Sequence, residues 1–274
     1  MNKPLALSYK KSSFGPAFFF LSKRRRRALA SYYEFCRLMD DIADEPTVKD
    51  PLKELSFWQE EVARIFNHAP QTDLGKELAG LVQEFDLPQD RFLLLIEGMR
   101  ADVEHKTYNT QDDLDWYLHR VAVIVGMATL DILDVKGKTA EKLAQELGRA
   151  VQLTNIIRDV PDDAKLGRVY LPQALLTHYG LTREDVLTRK KLDKQAVLLC
   201  YLAKVSRALY RAAFHTMRGF PRLKMLPCRM MACVYEKNLA KIEKKGFLFH
   251  SPIKLNKFEK GIGVLNALFK TIFS

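Results

Sequence analysis

Apolar residues recur every three to four positions along almost the whole chain, which is the interval at which one face of an α-helix returns. The pattern predicts helices over about 24–44, 52–68, 73–86, 89–104, 111–134, 140–160, 193–218, 222–245 and 255–273. No stretch sustains an alternation of period two, so the expected fold class is all-α. Proline and glycine fall between the helical stretches, at Pro46 and Pro51, Pro70, Pro88, Gly137, Gly167 with Pro172, Gly180, Gly219 with Pro221, and Gly246 with Pro252. None of these joints is long or polar enough for an interdomain linker, and no repeat of fixed period occurs. One domain over 1–274 is expected.

Composition adds a constraint on partners. The 274 residues are 47% hydrophobic and 28% charged, ordinary for a globular chain, but the formal charge is +11. A basic balance of that size favours an anionic partner: nucleic acid, an acidic membrane surface or a polyphosphate. The run Lys23 to Arg27 reads as the surface of a helix N-terminus, and with no helix-turn-helix or aromatic-basic platform beside it no nucleic-acid partner is expected. Cys36, Cys200, Cys228 and Cys233 include no C-x-x-C pair and the six histidines form no H-E-x-x-H, which argues against zinc and a disulfide framework. A reduced, cytoplasmic chain is expected. No apolar run reaches membrane-spanning length, and Phe14 to Leu21 lacks the flanks of a signal peptide. There is no G-x-G-x-x-G and no G-x-x-x-x-G-K-[ST], so no NADPH site is recognised.

The candidate chemistry lies in two aspartate clusters 119 positions apart, Asp40-Asp41-Ile42-Ala43-Asp44 and Asp159-Val160-Pro161-Asp162-Asp163. Residues four apart share a helix face, so Asp40 pairs with Asp44 and Asp159 with Asp163. An acidic i, i+4 pair is ordinarily a solvated face. Here each pair instead ends a strongly apolar turn, after Phe35, Leu38 and Met39 in one case and Leu153, Ile156 and Ile157 in the other. Carboxylates crowded in a cleft repel, and hard cations such as Mg²⁺ relieve that repulsion while keeping positions open for phosphate oxygens. Arg37 and Arg158 stand beside the clusters and suit phosphate. Pro161 predicts a kink or helix end near Asp159, which loosens the second pair.

These residues and their neighbours resemble the squalene/phytoene synthase family of head-to-head prenyl diphosphate condensing enzymes. The resemblance runs from about Ser12 to about Lys257. It is carried by Ser12-Ser13-Phe14, by Tyr33 to Asp44, by Tyr117 with Val121, Val125 and Gly126, by Gln152 to Asp159 running on to Gly167-Arg168-Val169-Tyr170-Leu171-Pro172, and by Tyr235 with Ile242-Glu243 and Gly246-Phe247. The resemblance implies a helical bundle of the isoprenoid synthase type with a central active-site cavity. It implies Mg²⁺, with Mn²⁺ able to substitute, on Asp40, Asp44, Asn155, Asp159 and Asp163. It also implies catalytic roles for Tyr33, Arg37, Tyr117 and Tyr235, and substrate binding by Ser13, Phe14, Arg37, Gln152, Asn155 and Arg158. The implied substrates are prenyl diphosphates, foremost two farnesyl diphosphates giving presqualene diphosphate, with phytoene or dehydrosqualene synthesis as the alternative. A reading of another class is a basic nucleic-acid-binding or non-catalytic interaction protein, and the intact aspartates argue against it.

Two departures from the family pattern stand out. The stretch Phe247 to Lys254 lacks the arginine that many relatives carry there, leaving Lys254 as the substitute, and Pro161-Asp162 stands where relatives have Gly-Glu. Gly98, Gly126 and Gly148 fall inside helical patterns and suggest close packing or room for an isoprenoid tail. Over 255–273, Leu255, Phe258, Ile262, Leu265, Leu268, Phe269, Ile272 and Phe273 form an apolar stripe bordered by Lys257, Lys260 and Lys270. Such a helix either docks on the core or gives peripheral contact with the inner face of the membrane.

Overall fold

The computed structural model of the chain describes residues 21–273, with side chains described through Thr271. Among them there are helices and turns and no strand. In chain order the longer helices are α1 (Lys23–Asp44), α2 (Pro51–Phe66), α3 (Asp73–Phe85), α4 (Asp90–Val103), α5 (Gln111–Leu118), α6 (Ile124–Ile132) and α7 (Lys138–Lys165). Two short helices follow, α8 (Gln173–His178) and α9 (Arg183–Leu187), then α10 (Leu192–Thr216), α11 (Leu226–Lys244) and α12 (Lys257–Phe273). The short pair is absent from the sequence reading because five or six residues make fewer than two turns, too few for the hydrophobic spacing to repeat. Caps mark several starts: Ser22 accepts from the Arg25 N–H, and Thr110 with Asp113 and Thr182 with Asp185 form reciprocal capping boxes.

Two apolar clusters organise the packing. The first joins α1 to α4 through Tyr32, Phe35, Trp58 and Phe92, whose rings meet edge to face at centroid distances such as 5.4 Å for Tyr32 with Phe92 and 5.3 Å for Phe35 with Phe92. The second is built on α7, α10 and α11, where Thr154 on α7 hydrogen-bonds Ser206 and Tyr210 on α10 at 3.1 and 3.0 Å. The helix predicted over 111–134 runs between the clusters, but not as regular α-helix. A π-helical segment, His119–Val123, separates α5 from α6.

Glycines explain how close the neighbours come to that segment. A Cβ on Gly98 would lie 2.7 Å from Val121 Cγ1, and one on Gly148 would lie 2.9 Å from Val123 Cα and 3.0 Å from the Ala122 carbonyl. The π segment is therefore clasped by bare backbone of α4 on one side and α7 on the other. Gly126 is different, since its Cβ would meet Ala144 at an ordinary 3.5 Å.

Pro161 does not end its helix. α7 continues to Lys165 with Pro161 buried inside it, so Asp159 and Asp163 keep their one-turn spacing. The missing hydrogen bond is offset by packing of Pro161 and of the turn before it, where Val160, Ile157 and Ile156 are all buried. α12 starts two residues later than the apolar stripe implies. Asn256 accepts from the Glu259 N–H at 2.8 Å while Glu259 accepts from the Asn256 N–H at 2.8 Å, so Asn256 caps the helix and Leu255 packs ahead of it. The helix docks on α11 through Gly263, Ala267 and Thr271, in company with Leu226, Met230, Cys233 and half-buried Leu268.

The clasp makes a quantitative expectation. Gly148→Ala pushes a methyl into Val123 backbone and lowers unfolding free energy by roughly 1–3 kcal/mol, whereas Gly80→Ala, with open space at the added Cβ, raises it by roughly 0.5–1 kcal/mol. Urea denaturation of the two variants checks both signs.

Candidate active site

A cavity of about 570 Å³ lies between the two apolar clusters. One face of α1 lines it with Tyr33, Cys36, Arg37, Asp40 and Asp44, and one face of α7 lines it with Gln152, Asn155, Asp159 and Asp163. Steps of three and four along each helix put these side chains in two rows. The lining changes character along α7. Leu143, Ala144, Leu147 and Val151 line the cavity nearer the helix N-terminus, together with Val125, Gly126 and Leu130, and the polar row follows toward the C-terminus. The result is a pocket with an apolar depth and an anionic end. α11 supplies Cys228, Met231 and Tyr235, and Lys254 reaches the lining from the following loop.

The two rows of carboxylates act on one another. Asp40 faces the water of the cavity but is walled in on most sides. Its carboxyl is pushed up to about 7 by desolvation first, then by the charges of Asp44, Asp41 and Asp102. Desolvation likewise pushes Asp163 up to about 8, reinforced by Asp159, Asp102 and Asp44. The influence of Asp44 on Asp163 shows that the clusters are electrostatic neighbours across the cavity. Arg158 grips Asp159 with both arms of its fork, Nε to Oδ1 at 2.7 Å and Nη2 to Oδ2. Tyr235 hydrogen-bonds Arg158. Arg37 lies half exposed, 3.5 Å from Asp41, with Tyr33 as a further hydrogen-bond partner.

A buried network behind the anionic end was not read from sequence. Asp102 on α4 accepts from Tyr117 at Oδ2 and Tyr170 at Oδ1, each at 2.9 Å, and those rings stack at 4.7 Å. Arg168 donates to the Asp102 carbonyl at 3.3 Å, to the Ala43 carbonyl at 2.9 Å and to the Asp44 carboxylate. It thereby ties the end of α1 to α4. Burial pushes Asp102 up to about 6, against the lowering effect of Arg168 and the two phenols. A signal was available: Asp102 lies on the apolar face of Leu95 and Met99, at i+7 and i+3 from them, where a carboxylate needs partners. Tyr117 is placed at the cavity as expected, but its ring is 3% exposed and its hydroxyl is committed to Asp102. Ser13 and Phe14 lie outside the described residues.

The donor set fits a hard divalent cation. Asn155 donates to Gln152 Oε1 at 3.2 Å through its amide nitrogen, leaving its buried Oδ1 without a partner. An orphaned carbonyl oxygen one turn from Asp159, opposite the α1 carboxylates, is what an oxygen-seeking ion requires. Among the described residues no three of Asp, Glu, His and Cys converge closely enough to hold an ion by themselves. Mg²⁺ in such a site draws its remaining ligands from water and from phosphate oxygens.

An all-helical cavity with an anionic, cation-fitting end and an apolar depth defines an enzyme that handles a diphosphate attached to a hydrocarbon. The chain belongs to the squalene/phytoene synthase family, whose model matches residues 7–259. It is 34% identical over 254 residues to the presqualene diphosphate synthase of Rhodopseudomonas palustris, covering 91% of this chain and 90% of that one. It is 33% identical over 226 residues to the chloroplastic phytoene synthase 2 of Solanum lycopersicum, covering 80% and 73%. The crystal structure of squalene synthase HpnC from Alicyclobacillus acidocaldarius superposes with a TM-score of 0.80 at 28% identity, covering 90% and 92%. The protein is therefore a prenyltransferase of the type that condenses two prenyl diphosphates head to head.

Two expectations follow from the electrostatics. Asp40 and Asp163 bind protons more tightly in the folded chain than at their ordinary value of 3.8. Between about pH 4 and 8 the folded state holds the extra protons, so stability of the metal-free protein falls as pH rises through that window and levels above it. Denaturation midpoints in chelator at pH 6 and 8.5 should show that fall, and Asp163→Asn should reduce it; equal slopes in both proteins would reject the assignment. Separately, Tyr117→Phe leaves Asp102 short of a donor and costs roughly 1–3 kcal/mol of stability, read from the urea midpoint.

Proposed function

We propose that this chain joins two farnesyl diphosphates into presqualene diphosphate and releases one diphosphate. The observation that carries the reading is a cavity with carboxylate rows on two facing helices and an apolar depth, in a chain that matches a bacterial presqualene diphosphate synthase over nine-tenths of its length. In this reaction the allylic C–O bond of one substrate breaks, and its electron pair leaves with diphosphate. The double bond of the second substrate attacks the resulting cation, and loss of a proton closes a cyclopropane. The second diphosphate is retained.

Asp40, Asp44, Asp159, Asp163 and Asn155 are the residues that would hold magnesium, or manganese in its place, and the bound ion would supply the positive charge that makes diphosphate a competent leaving group. The chain's own cations act at the same end. Arg158 and Arg37 sit beside the two rows, and a guanidinium can pass from a carboxylate to a diphosphate oxygen with its geometry intact. Lys254 adds a point charge to the cavity wall. Gln152 fixes the Asn155 amide so that its oxygen stays available. The faces of Tyr33 and Tyr235 favour a passing carbocation. Tyr117 contributes through its ring and by holding Asp102, since its hydroxyl is engaged.

The similarity to a phytoene synthase supports a second reading, in which C20 substrates are used and a second ionisation opens the cyclopropane. Incubation of the purified protein with Mg²⁺ and either C15 or C20 diphosphate, with and without NADPH, separates them. Presqualene diphosphate from the C15 substrate, unchanged by NADPH, is the expected product. Consumption of the C20 substrate alone would favour the second reading. Asp40→Asn and Asp159→Asn should each cut turnover by about a hundredfold or more while helix content holds; full activity of either variant, or of the native protein in chelator, would sink the magnesium assignment.

A further inference from the structure

We propose that the outer face of α12 seats this protein on an anionic membrane surface, with Phe258, Leu265 and Phe269 entering the apolar boundary and the surrounding lysines and arginines contacting lipid phosphates. The inference is independent of which prenyl diphosphate is used.

The docking of α12 leaves its large side chains outside. Toward α11 the helix presents small residues, and Gly263 sits so close that a Cβ there would lie 3.1 Å from Val234 Cα. Phe258, Leu265 and Phe269 are 76%, 64% and 63% exposed, while Ala267 is fully buried. At about 100° per residue, Phe258, Ile262, Leu265 and Phe269 fall within an arc of roughly 60° on the side opposite Gly263 and Ala267. Core packing alone would place the large residues inward. Scattered exposed leucines are ordinary, but an aligned row of aromatic and aliphatic side chains along a helix is a contiguous apolar surface. No described helix is long and apolar enough to cross a membrane. With Lys257 and Lys270 exposed along its two sides, α12 has the features of a helix that lies in an interface.

Charge selects the occupant. Residues 218–274 hold 12 of the chain's 44 Lys and Arg and only 3 of its 33 Asp and Glu, a net of +9 against +11 for the whole molecule. Those three acids are already paired: Glu259 with Lys241, Glu243 with Arg207, and Glu236 with Arg207 and Lys270. At the far end, Arg229 donates to the Lys270 carbonyl at 3.2 Å, and the loop leading into α11 carries exposed Arg218 and Arg222 and, next to Arg222, Leu223 at 80% exposure. A second copy of this chain would bring the same positive face and be repelled. A nucleic acid would match the charge but gives the phenylalanines no apolar medium to enter. An anionic bilayer satisfies both requirements. The placement also has a geometric consequence, because α11 carries α12 on one side and lines the catalytic cavity with Cys228, Met231 and Tyr235 on the other.

Removing the helix is a poor test, since its loss would uncover Leu226, Met230 and Cys233. Substitution of exposed positions keeps the docked face intact. Full-length protein and the triple variant Phe258→Ser, Leu265→Ser, Phe269→Ser are floated with vesicles of phosphatidylcholine alone and of phosphatidylcholine mixed with phosphatidylglycerol. Melting temperatures and sedimentation are recorded for both proteins. Expected are binding to the anionic vesicles only, weakening in high salt, and a loss of roughly tenfold or more in the triple variant at unchanged melting temperature. Equal flotation of the two proteins overturns the proposal, as does failure of the native protein to bind. A native dimer that the triple variant converts to monomer, without vesicle binding, assigns the face to a second copy instead.

Discussion

Repulsion among carboxylates is the constraint on which the rest of this structure depends. Asp40, Asp44, Asp102, Asp159 and Asp163 come from three helices to one end of one cavity, and desolvation together with mutual charge raises Asp40 and Asp163 far above the usual carboxylate range. A fold that assembles such a group needs built-in compensation. Arg168 provides part of it by bridging Asp44, the Ala43 carbonyl and the Asp102 carbonyl, and Arg158 provides part by gripping Asp159. The remaining imbalance is what the proposed cation would relieve, and through that ion the site would hold diphosphate.

The hydrocarbon side of the chemistry depends on backbone rather than charge. The cavity lies where two apolar clusters meet, and the helix between them carries a π-helical segment held closely against Gly98 of α4 and Gly148 of α7. Side chains at those two glycines would fill the approach. The π segment shifts the register of the helix by part of a turn, so Val121, Ala122, Val125 and Gly126 all border the cavity in company with Tyr117. Polar and apolar halves of the pocket are thus set by different devices, carboxylate rows in one and close helix packing in the other.

Substrate chemistry and the surface are linked through α11. This helix carries cavity residues on one face and the C-terminal helix on the other, so the site and the proposed lipid-facing surface share a wall one helix thick. The basic charge, which on its own fits several anionic partners, divides into two uses: arginines beside the carboxylate rows and a dense field round α12.

Much of this was legible in the chain itself. Period-3.6 patterning located eight helices to within a few residues at most ends, and a ninth stretch that divides into α5, the π segment and α6, because amphipathic spacing is a local property. The rows of Asp40 with Asp44 and Asp159 with Asp163 were readable for the same reason, as positions on single helices. What crosses between helices was not. Asp102, Arg168 and Tyr170 form one network from positions far apart in sequence, and the π segment arises from the packing of its neighbours, not from a residue type. Pro161 predicts a break that burial of the proline and of the turn before it overrides. The apolar stripe of α12 was visible in sequence, but which of its faces turns inward depended on Gly263 meeting Val234, a contact that exists only once α11 is in place. Sequence determined the elements and the chemistry each could carry; tertiary structure decided which groups share a desolvated space, because burial and charge coupling are properties of the assembled volume and not of any one segment.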